Sequence, residues 1–481
     1  MGDGPDPSSD EGRDHGATGV TGRAGDEGDG RCAHVTKVAR RARRSNWNGG
    51  TPRRRSSTMT KTPDVLIVGG GLAGLAAART LTSHGIAAQV LEAAHDVGGR
   101  VATDEVEGFL LDRGFQVLLD SYPEARRALD MRALDLRPFA AGALIRRRGR
   151  TGRVGDPWRD PLAGMCSLVS GAFTPADAWR MMRLRSDALL GAPAEPDAAT
   201  QTAARSLAER GFSERALDAF FRPFFGGVFL DAQLSAPRGW FEFLFGMFAT
   251  GRATLPGAGM RAIPRQLAAG LPVGAVRTGA RVRALRADGV EIDGGEVLRA
   301  RAVIIATDAR HLAVLVPGMR APSWVGCTTL HYAAASTPLD EPALMLNGDP
   351  RSGPVNHLCV PSDIAPRYAP AGQHLVSATV IGVPAQDDAT LDREARSQLA
   401  HWFSARTVAD WRLLRVSRVA HTLPRLTPGA NVERAVRVST GLYACGDHLE
   451  TPSIDGALRS GRRAAEALLE DWGLRDGIVV A

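Results

Sequence analysis

The sequence predicts an α/β protein with two domains, each assembled from segments that lie far apart along the chain. An apolar strand, a glycine-rich turn, an alanine-rich helix and a second strand follow one another within residues 64–92. A helical middle comes next, and strand patterns return at 273–306 and at 442–445. A central parallel sheet that is completed by distant strands accounts for this order of elements.

Length and composition are those of a globular protein. The chain has 481 residues, of which 44% are hydrophobic and 23% charged, so it can bury a large core. Its five cysteines include no CxxC pair, which argues against a disulfide scaffold and a cysteine-based zinc site, and we predict no metal. Residues 1–58 hold 11 basic and 8 acidic residues, so the net charge of +7 falls to +4 for the rest, and we expect no nucleic-acid partner.

Residues 1–61 are predicted to be a disordered extension. The first 30 residues are acidic and glycine-rich, and residues 31–58 hold nine basic residues and no acid, without apolar periodicity in either part. Two alternatives are a basic arm for nucleic acid or anionic lipid, and translation that starts at Met59. No apolar run suits a signal peptide or a membrane span, so we expect a cytoplasmic protein, with peripheral membrane contact as the alternative.

The ordered chain begins with a strand–helix–strand unit. Residues 64–69 are apolar and β-branched, which is typical of a buried parallel strand. Residues 72–83 are alanine-rich and predict a helix that ends at His84 and Gly85, and a second strand is predicted over 87–92. Dinucleotide-binding domains are built on such a unit.

The turn between the first strand and the helix carries a G-x-G-x-x-G motif. Its glycines are Gly69, Gly71 and Gly74, and Leu72 and Ala73 open the helix. The first glycine permits the tight turn, the second lets a pyrophosphate approach the backbone, and the third lets helix and strand pack closely. Unpaired N–H groups at the helix N-terminus favour phosphate. Between a strand and a helix, the motif predicts a Rossmann-type dinucleotide site.

Glu92 ends the second strand, 21 residues after Gly71. A carboxylate at this position accepts hydrogen bonds from the ribose hydroxyls of an adenosine. It would repel a 2′-phosphate, so we expect a dinucleotide that lacks one.

The middle of the chain has different patterns. Residues 175–217 are predicted to be helical, 325–335 and 374–382 to be strands of an antiparallel sheet, and 388–403 to be an amphipathic helix. Residues 220–248 hold ten of the 27 aromatic residues. Three interpretations of this block stay open: a pocket for a long apolar substrate, a face toward a membrane, or the core of a helical subdomain.

The histidines of the chain do not identify a catalytic residue. His331, His357 and His421 fall in predicted strands, where a lone histidine is more often structural than catalytic. No Ser-His-Asp spacing can be made out, so the catalytic residues stay unassigned.

Three further motifs resemble those of one flavoprotein superfamily. Residues 98–101 read Gly-Gly-Arg-Val, residues 442–448 read Leu-Tyr-Ala-Cys-Gly-Asp-His, and residues 453–461 read Ser-Ile-Asp-Gly-Ala-Leu-Arg-Ser-Gly, with a closing helix predicted over 456–471. Together they resemble the amine oxidases, protoporphyrinogen oxidases and phytoene (carotenoid) desaturases. The resemblance runs from about residue 64 to 469. It implies a Rossmann-type FAD-binding domain and a mixed α+β substrate domain, both discontinuous.

The resemblance also implies roles for single residues. Arg100 supplies charge and donors to the FAD pyrophosphate. Val282 meets the adenine through its backbone, and Asp447 holds the ribityl or pyrophosphate region. Ala457 opens the last helix, whose N-terminus stabilises the negative charge that reduced flavin gathers at its N1–C2=O edge. The implied cofactor-binding residues are Gly69, Gly71, Leu72, Ala73, Gly74, Glu92, Gly98, Gly99, Arg100, Val282, Gly446, Asp447 and Ala457.

Local matches favour the desaturase branch. Residues 453–461 are similar to the Ser-Met-Glu-Gly-Ala-x-x-Ser-Gly string of plant-type phytoene desaturases. Related amine oxidases carry a lysine that holds a water near flavin N5, whereas this chain has no lysine after Lys61. Residues 423–434 lack a cysteine where monoamine oxidases attach their flavin, so we expect FAD to be bound non-covalently.

We therefore predict an FAD-dependent oxidoreductase that removes hydride from a C–H bond to flavin N5, on an apolar, isoprenoid- or carotenoid-like substrate. Alternatives are an amine or protoporphyrinogen oxidase and, in another class, a non-catalytic FAD-stabilised binding protein. Oxygen or a quinone would be the electron acceptor. The substrate-pocket candidates are Phe224, Phe225, Phe229 and Phe245.

The expected domain boundaries follow from these assignments. The predicted FAD-binding domain comprises 62–145, 255–320 and 420–475. The predicted substrate domain comprises 146–254 and 321–419.

Overall fold

The computed structural model describes residues 62–155, 159, 167, 170–190 and 200–474. The chain divides into two units, Met1–Arg55 and Ser56–Ala481, and every described residue belongs to the second unit. The predicted disordered extension, residues 1–61, lies outside the described residues.

The described residues form both strands and helices. In chain order the strands are β1 (Val65–Val68), β2 (Ala88–Leu91), β3 (Thr103–Val106), β4 (Phe109–Asp112), β5 (Leu118–Leu119), β6 (Leu136–Pro138), β7 (Ala143–Arg147), β8 (Arg150–Val154), β9 (Ala253–Pro256), β10 (Val276–Arg277), β11 (Val282–Arg286), β12 (Gly289–Ile292), β13 (Val297–Arg299), β14 (Ala302–Ile305), β15 (Trp324–Ala334), β16 (Leu344–Asn347), β17 (His357–Cys359), β18 (His374–Ile381), β19 (Arg412–Pro424), β20 (Arg437–Ser439) and β21 (Leu442–Ala444).

The α-helices are α1 (Leu72–Ser83), α2 (Pro123–Ala128), α3 (Pro175–Leu190), α4 (Ala203–Glu209), α5 (Glu214–Ala216), α6 (Arg222–Phe229), α7 (Arg238–Thr250), α8 (Ala262–Ala269), α9 (Ala309–Leu315), α10 (Pro361–Ile364), α11 (Asp388–Trp402), α12 (Ala405–Ala409) and α13 (Ile454–Asp471). A π-helical turn, Leu217–Phe221, joins α5 to α6, and 3₁₀ turns lie at Pro366–Tyr368 and Asp447–Leu449.

A six-stranded sheet has β1 near its centre, in the order β10-β2-β1-β14-β21-β20. All its pairs are parallel except that of the edge strand β20 with β21. Strand β1 is completely apolar and buried, as a parallel strand covered on both faces should be. The predicted α/β class is confirmed, and α1 has the predicted bounds of 72–83.

A seven-stranded sheet has the order β19-β15-β18-β17-β16-β7-β8. The predicted antiparallel pair is present as β15 and β18, and only β16 and β7 pair in parallel among the described strands of this sheet. One face carries Leu330, Tyr332 and Val376, which belong to one buried cluster with Leu391 and Leu399 of α11. The opposite face carries Thr329, His331 and Ser377, and lines a small cavity together with residues of β4.

The π-helical turn and helices α6 and α7 hold ten of the 27 aromatic residues of the chain. Their buried phenylalanines belong to the same core cluster as β1 and α1. Ring pairs hold them together: the rings of Phe220 and Phe224 stack at 5.3 Å, and those of Phe225 and Phe241 meet edge to face at 4.8 Å. Within the described residues, no helix combines the length and the apolarity needed to cross a membrane.

Candidate functional site

A cavity of about 1420 Å³ extends from the glycine-rich turn after β1 to the aromatic helices α3, α6 and α7. Pockets for a single small ligand usually measure about 300–1,000 Å³. This cavity therefore has room for a large ligand and a second one beside it. Its two halves are built from different kinds of group.

The glycine-rich turn forms one wall of the cavity. Gly69 has a φ of 111°, which favours glycine, and Gly71 begins α1 without a capping side chain. The first N–H groups of α1 therefore lack partners from a cap and are available to a ligand. Gly74 lies beneath the turn, where a Cβ atom would come within 2.0 Å of the Gly69 carbonyl oxygen.

Glu92 occupies the next position on the wall, at the end of β2. Its carboxylate accepts hydrogen bonds from the backbone N–H of Gly70 at 2.6 Å and of Ala94 at 2.8 Å. The backbone of Ala280, just before β11, donates to the Glu92 carbonyl at 2.8 Å. Val282 lines the cavity from the start of β11. The two segments thus enclose the end of the cavity at which the carboxylate lies.

Arg100 and Asp447 form an ion pair across the middle of this half. The guanidinium donates to both carboxylate oxygens, at 2.8 and 2.5 Å, and to the Thr422 carbonyl at 2.8 Å. Burial opposes the charge on Arg100, but Asp447 holds the pKa of Arg100 above its usual range. The Asp447 side chain is only 4% exposed, whereas that of Arg100 is 36% exposed. The arginine therefore keeps access to an anionic ligand.

The last helix points its N-terminus at the same cavity. Ser453 caps α13, because its hydroxyl accepts from the Gly456 N–H at 2.9 Å. Ala457 and Ile454 line the cavity. Gly461 lets α13 cross α1 closely, since a Cβ atom there would lie 2.0 Å from the Ala73 carbonyl oxygen.

The structure brings the predicted cofactor-binding residues into one place. Gly74 packs below the turn and does not line the cavity. The others line it: Gly69, Gly71, Leu72, Ala73, Glu92, Gly98, Gly99, Arg100, Val282, Gly446, Asp447 and Ala457.

The other half of the cavity is aromatic. Phe224, Phe225 and Phe245, three of the four predicted pocket residues, line it, whereas Phe229 is buried away from it at 7% exposure. Further apolar lining residues are Phe139, Phe173, Met181, Met182, Phe220, Val228, Leu230, Trp240, Leu244 and Phe248.

The sequence analysis gave no functional role to two further residues that line the cavity, Asp308 and His357. Asp308 caps α9 directly after β14; burial would raise its pKa, but hydrogen bonds from Arg310 and from the backbone of His311 hold the pKa at about 2. Its place after the carboxyl end of a parallel strand was a usable signal, because ligands of such sheets bind there. His357 of β17 also lines the cavity. No local sequence pattern predicted this position.

Comparisons with known proteins agree with this geometry. The model of a protein family described as flavin-containing amine oxidoreductases matches residues 72–469. Polyamine oxidase 2 of Arabidopsis thaliana is 46% identical over 55 residues, which cover 11% of this chain and 11% of that protein. The chloroplastic/mitochondrial protoporphyrinogen oxidase 2 of the same plant is 26% identical over 164 residues, or 34% and 32% of the two chains.

The likeness in three dimensions is more extensive. The crystal structure of an oxidoreductase from Methanosarcina mazei matches with a TM-score of 0.66 at 16% identity, over 84% of this chain and 99% of that one. At this identity the match shows a common fold. The sequence matches, in contrast, span no more than about a third of these curated relatives.

Proposed function

The chain belongs to the family of flavin-containing amine oxidoreductases, and we propose that it is an FAD-dependent oxidoreductase acting on an apolar substrate. The observation that carries the proposal is the continuity of the cavity. One end is lined by the glycine turn and Glu92, and the other by phenylalanine rings. A dinucleotide held at the first end would meet an apolar molecule held at the second.

The described residues fit FAD. Gly71 offers a cradle, since a Cβ atom there would meet no atom of the described chain within 4 Å. We assign the pyrophosphate to this turn, to Gly98 and Gly99, and to Arg100. Glu92 retains lone pairs for the ribose hydroxyls beside its two backbone hydrogen bonds. The N-terminal residues of α13, which line the cavity, would hold the flavin.

Bound there, FAD supplies the hydride acceptor at flavin N5. The protein's part is to hold the reacting C–H bond against that atom and to exclude water. The aromatic half of the cavity contributes to both, because its phenylalanine rings offer apolar contacts to an apolar substrate and no hydrogen-bonding partner to water. The N–H groups that open α13 stabilise negative charge on the neighbouring part of the flavin.

We propose that FAD is held without a covalent bond. Cys327, Cys359 and Cys445 are buried, and none of these three lines the cavity. Burial raises the pKa of Cys445 to about 12, which makes its thiol unreactive. Cys32 and Cys166 lie outside the described residues. Acid precipitation should release free FAD, and flavin that stays with the precipitate would contradict this.

The lining favours an apolar substrate over a cationic amine. Among the described residues of the cavity the acids are Glu92, Asp308 and Asp447, and all three lie in the nucleotide half with backbone or arginine partners. A charged amine in the aromatic half would lack an anionic partner there. This lining and the missing lysine support the hypothesis of a desaturase-like reaction on an isoprenoid- or carotenoid-like substrate.

Two other candidates remain. The named relatives, a polyamine oxidase and a protoporphyrinogen oxidase, favour an amine or porphyrinogen oxidase. A non-catalytic FAD-binding protein is the candidate of another class. One experiment separates them: mixing the holoenzyme anaerobically with a detergent-dispersed polyene, a porphyrinogen or a diamine, and following bleaching of the flavin absorption. We expect the polyene to act fastest; bleaching by the diamine alone, or by none, would reject the proposal.

We further propose that the protein works in the cytoplasm at a membrane surface, with oxygen or a quinone as electron acceptor. Helix α3 supports the surface contact. Trp179 and Leu190 are 57% and 84% exposed, Arg183 covers the Trp179 ring at 5.0 Å, and Met182 of the same helix lines the cavity. Exposed apolar and cationic residues on one helix suit an anionic lipid surface. Sedimentation with anionic vesicles, compared with Leu190→Glu, tests this.

A further inference from the structure

The face of the seven-stranded sheet opposite α11 carries a row of polar side chains. Thr329 of β15 lies opposite Thr379 of β18, and Thr379 lies opposite His357 of β17. Side chains alternate between the faces of a strand, so these three project from one face. His331 lies two residues further along β15, on the same face.

Four polar atoms of this face have no partner. Thr329 Oγ1, Thr379 Oγ1, His331 Nε2 and His357 Nε2 are all buried and make no hydrogen bond within the described part of the chain. Native proteins seldom leave buried polar groups unpaired, and a cluster of them usually marks the place of an ordered water or a ligand atom.

The tautomer of His357 can be assigned. The Asn356 amide nitrogen donates to the Pro223 carbonyl at 2.9 Å, which fixes the orientation of the amide. The same nitrogen lies 3.0 Å from His357 Nδ1 and donates to it. Burial lowers the pKa of His357 to about 3, so the ring is neutral at pH 7. A neutral imidazole that accepts at Nδ1 carries its proton on Nε2. The unpaired atom is therefore an N–H donor.

His357 lies in the aromatic half of the cavity. Its ring meets the Phe115 ring at an angle of 62°, with centroids 4.6 Å apart. Helix α6 approaches so closely that a Cβ atom at Gly227 would lie 3.1 Å from His357 Nδ1. Gly227, Phe224 and His357 all line the cavity. His331, in contrast, lines a separate cavity of about 20 Å³, room for one water.

We propose that His357 forms an oxygen-binding subsite in the wall of the aromatic half, where a hydroxyl or carbonyl oxygen of the substrate accepts a hydrogen bond from Nε2–H. The inference rests on the proposed function, because it needs the substrate in this half of the cavity. It narrows the substrate class to apolar molecules that carry an oxygen function. Without substrate, water supplies the oxygen.

Binding of matched probes tests the subsite. The holoenzyme is titrated with dodecane, 1-dodecanol and 2-dodecanone, and dissociation constants are taken from changes in the flavin absorption spectrum. We expect the two oxygenated probes to bind about tenfold more tightly than dodecane, the effect of roughly one hydrogen bond. In His357→Phe the preference should vanish while dodecane binding stays. In His357→Gln, which restores a hydrogen-bond donor, part of the preference for the oxygenated probes over dodecane should return.

His331→Phe is the matched control, since it removes the same kind of buried ring from the same face outside the main cavity. Its preference for 1-dodecanol should equal that of the unaltered protein. Flavin content and melting temperature verify folding of each variant. Equal binding of all three probes would overturn the subsite and leave the proposed function standing. Failure of every probe to bind would overturn both.

Crystal structures distinguish the two sources of the oxygen. Without a probe, we expect a water within hydrogen-bond distance of His357 Nε2, and none there in His357→Phe. With 1-dodecanol, its hydroxyl should replace that water. A water that stays in place beside bound dodecanol would show that the site holds water alone, which would contradict the proposal.

Discussion

The two halves of the cavity differ in what they are made of. The nucleotide half is built largely from backbone: Gly71 begins α1 without a capping side chain, so the first N–H groups of the helix are available to a ligand, and Glu92 is the carboxylate that completes this half. The aromatic half is built from side chains on α3, α6 and α7. A site made of backbone needs glycine at fixed spacing, whereas a site made of apolar side chains uses the same residues as any core.

The largest effects are expected from substitutions of Gly74, within α1, and of Gly71, at the start of that helix. In Gly74→Ala, the new methyl would lie 2.0 Å from the Gly69 carbonyl oxygen. Because the Gly69 carbonyl belongs to packed backbone and cannot move away from the methyl, we expect a loss of about 3 kcal/mol or more in the free energy of unfolding, the upper end of overpacking effects. Urea denaturation of the apoprotein measures it.

Gly71→Ala is the matched control. Its φ of −73° suits alanine, so the stability of the apoprotein should change by less than about 0.5 kcal/mol. Its FAD affinity should still fall at least about tenfold, because the methyl fills the place of the pyrophosphate. Normal FAD binding by Gly71→Ala would show that the turn is not the phosphate cradle.

The same contrast explains what could be predicted from the sequence. Helix α1 and the strands beside it were found to within two residues, because turn, helix and strands leave local signals. Strands β15 and β18 were predicted from local strand patterns. The final helix begins at Ile454, two residues before its predicted start, because Ser453 is the cap. In the aromatic half, the burial of Phe229 depends on how α6 packs, and His357 takes part through distant neighbours, so neither left a local signal.

The small cavity beside the seven-stranded sheet contains a buried acid that should make the stability of the protein depend on pH. Asp112 of β4 is buried and accepts from the hydroxyls of Thr103 and Tyr368 and from the Met260 N–H, and burial raises its pKa to about 6. The folded state therefore holds a proton that the unfolded state releases between about pH 4 and 6. Stability should fall by about 3 kcal/mol as the pH rises through this window, and stay level above it.

Asp112→Asn removes this titration. Urea denaturation at a series of pH values should show the decline in the unaltered protein and a flatter profile in the variant. Identical slopes for the two proteins between pH 4 and 6 would refute the assignment to Asp112.

Loss of the Glu92 carboxylate should affect the nucleotide half alone. Glu92→Ala removes the acceptor of the ribose hydroxyls and the bonds to Gly70 and Ala94. We expect FAD binding to weaken by about 1.5–3 kcal/mol, the range for a hydrogen bond to a charged group. Fluorescence titration of the apoprotein with FAD measures it. Glu296→Ala, an acid paired with Arg277 outside the cavity, should bind FAD normally; equal loss in both variants would reject the ribose assignment.

The smallest effect is expected when phenylalanines that line the aromatic half are replaced and KM is measured. Phe224 and Phe245 line the cavity and are only partly buried, whereas Phe229 is buried and does not line it. In the double variant Phe224→Ala and Phe245→Ala, a loss of about 50 Å² of apolar contact costs about 1.3 kcal/mol, so KM for an apolar substrate should rise about tenfold with FAD still bound. Phe229→Leu keeps most of the volume of this buried side chain, so KM should stay unchanged. If Phe229→Leu raises KM as much as the double variant does, the rings act through packing of the helices, and the distinction between lining and core fails.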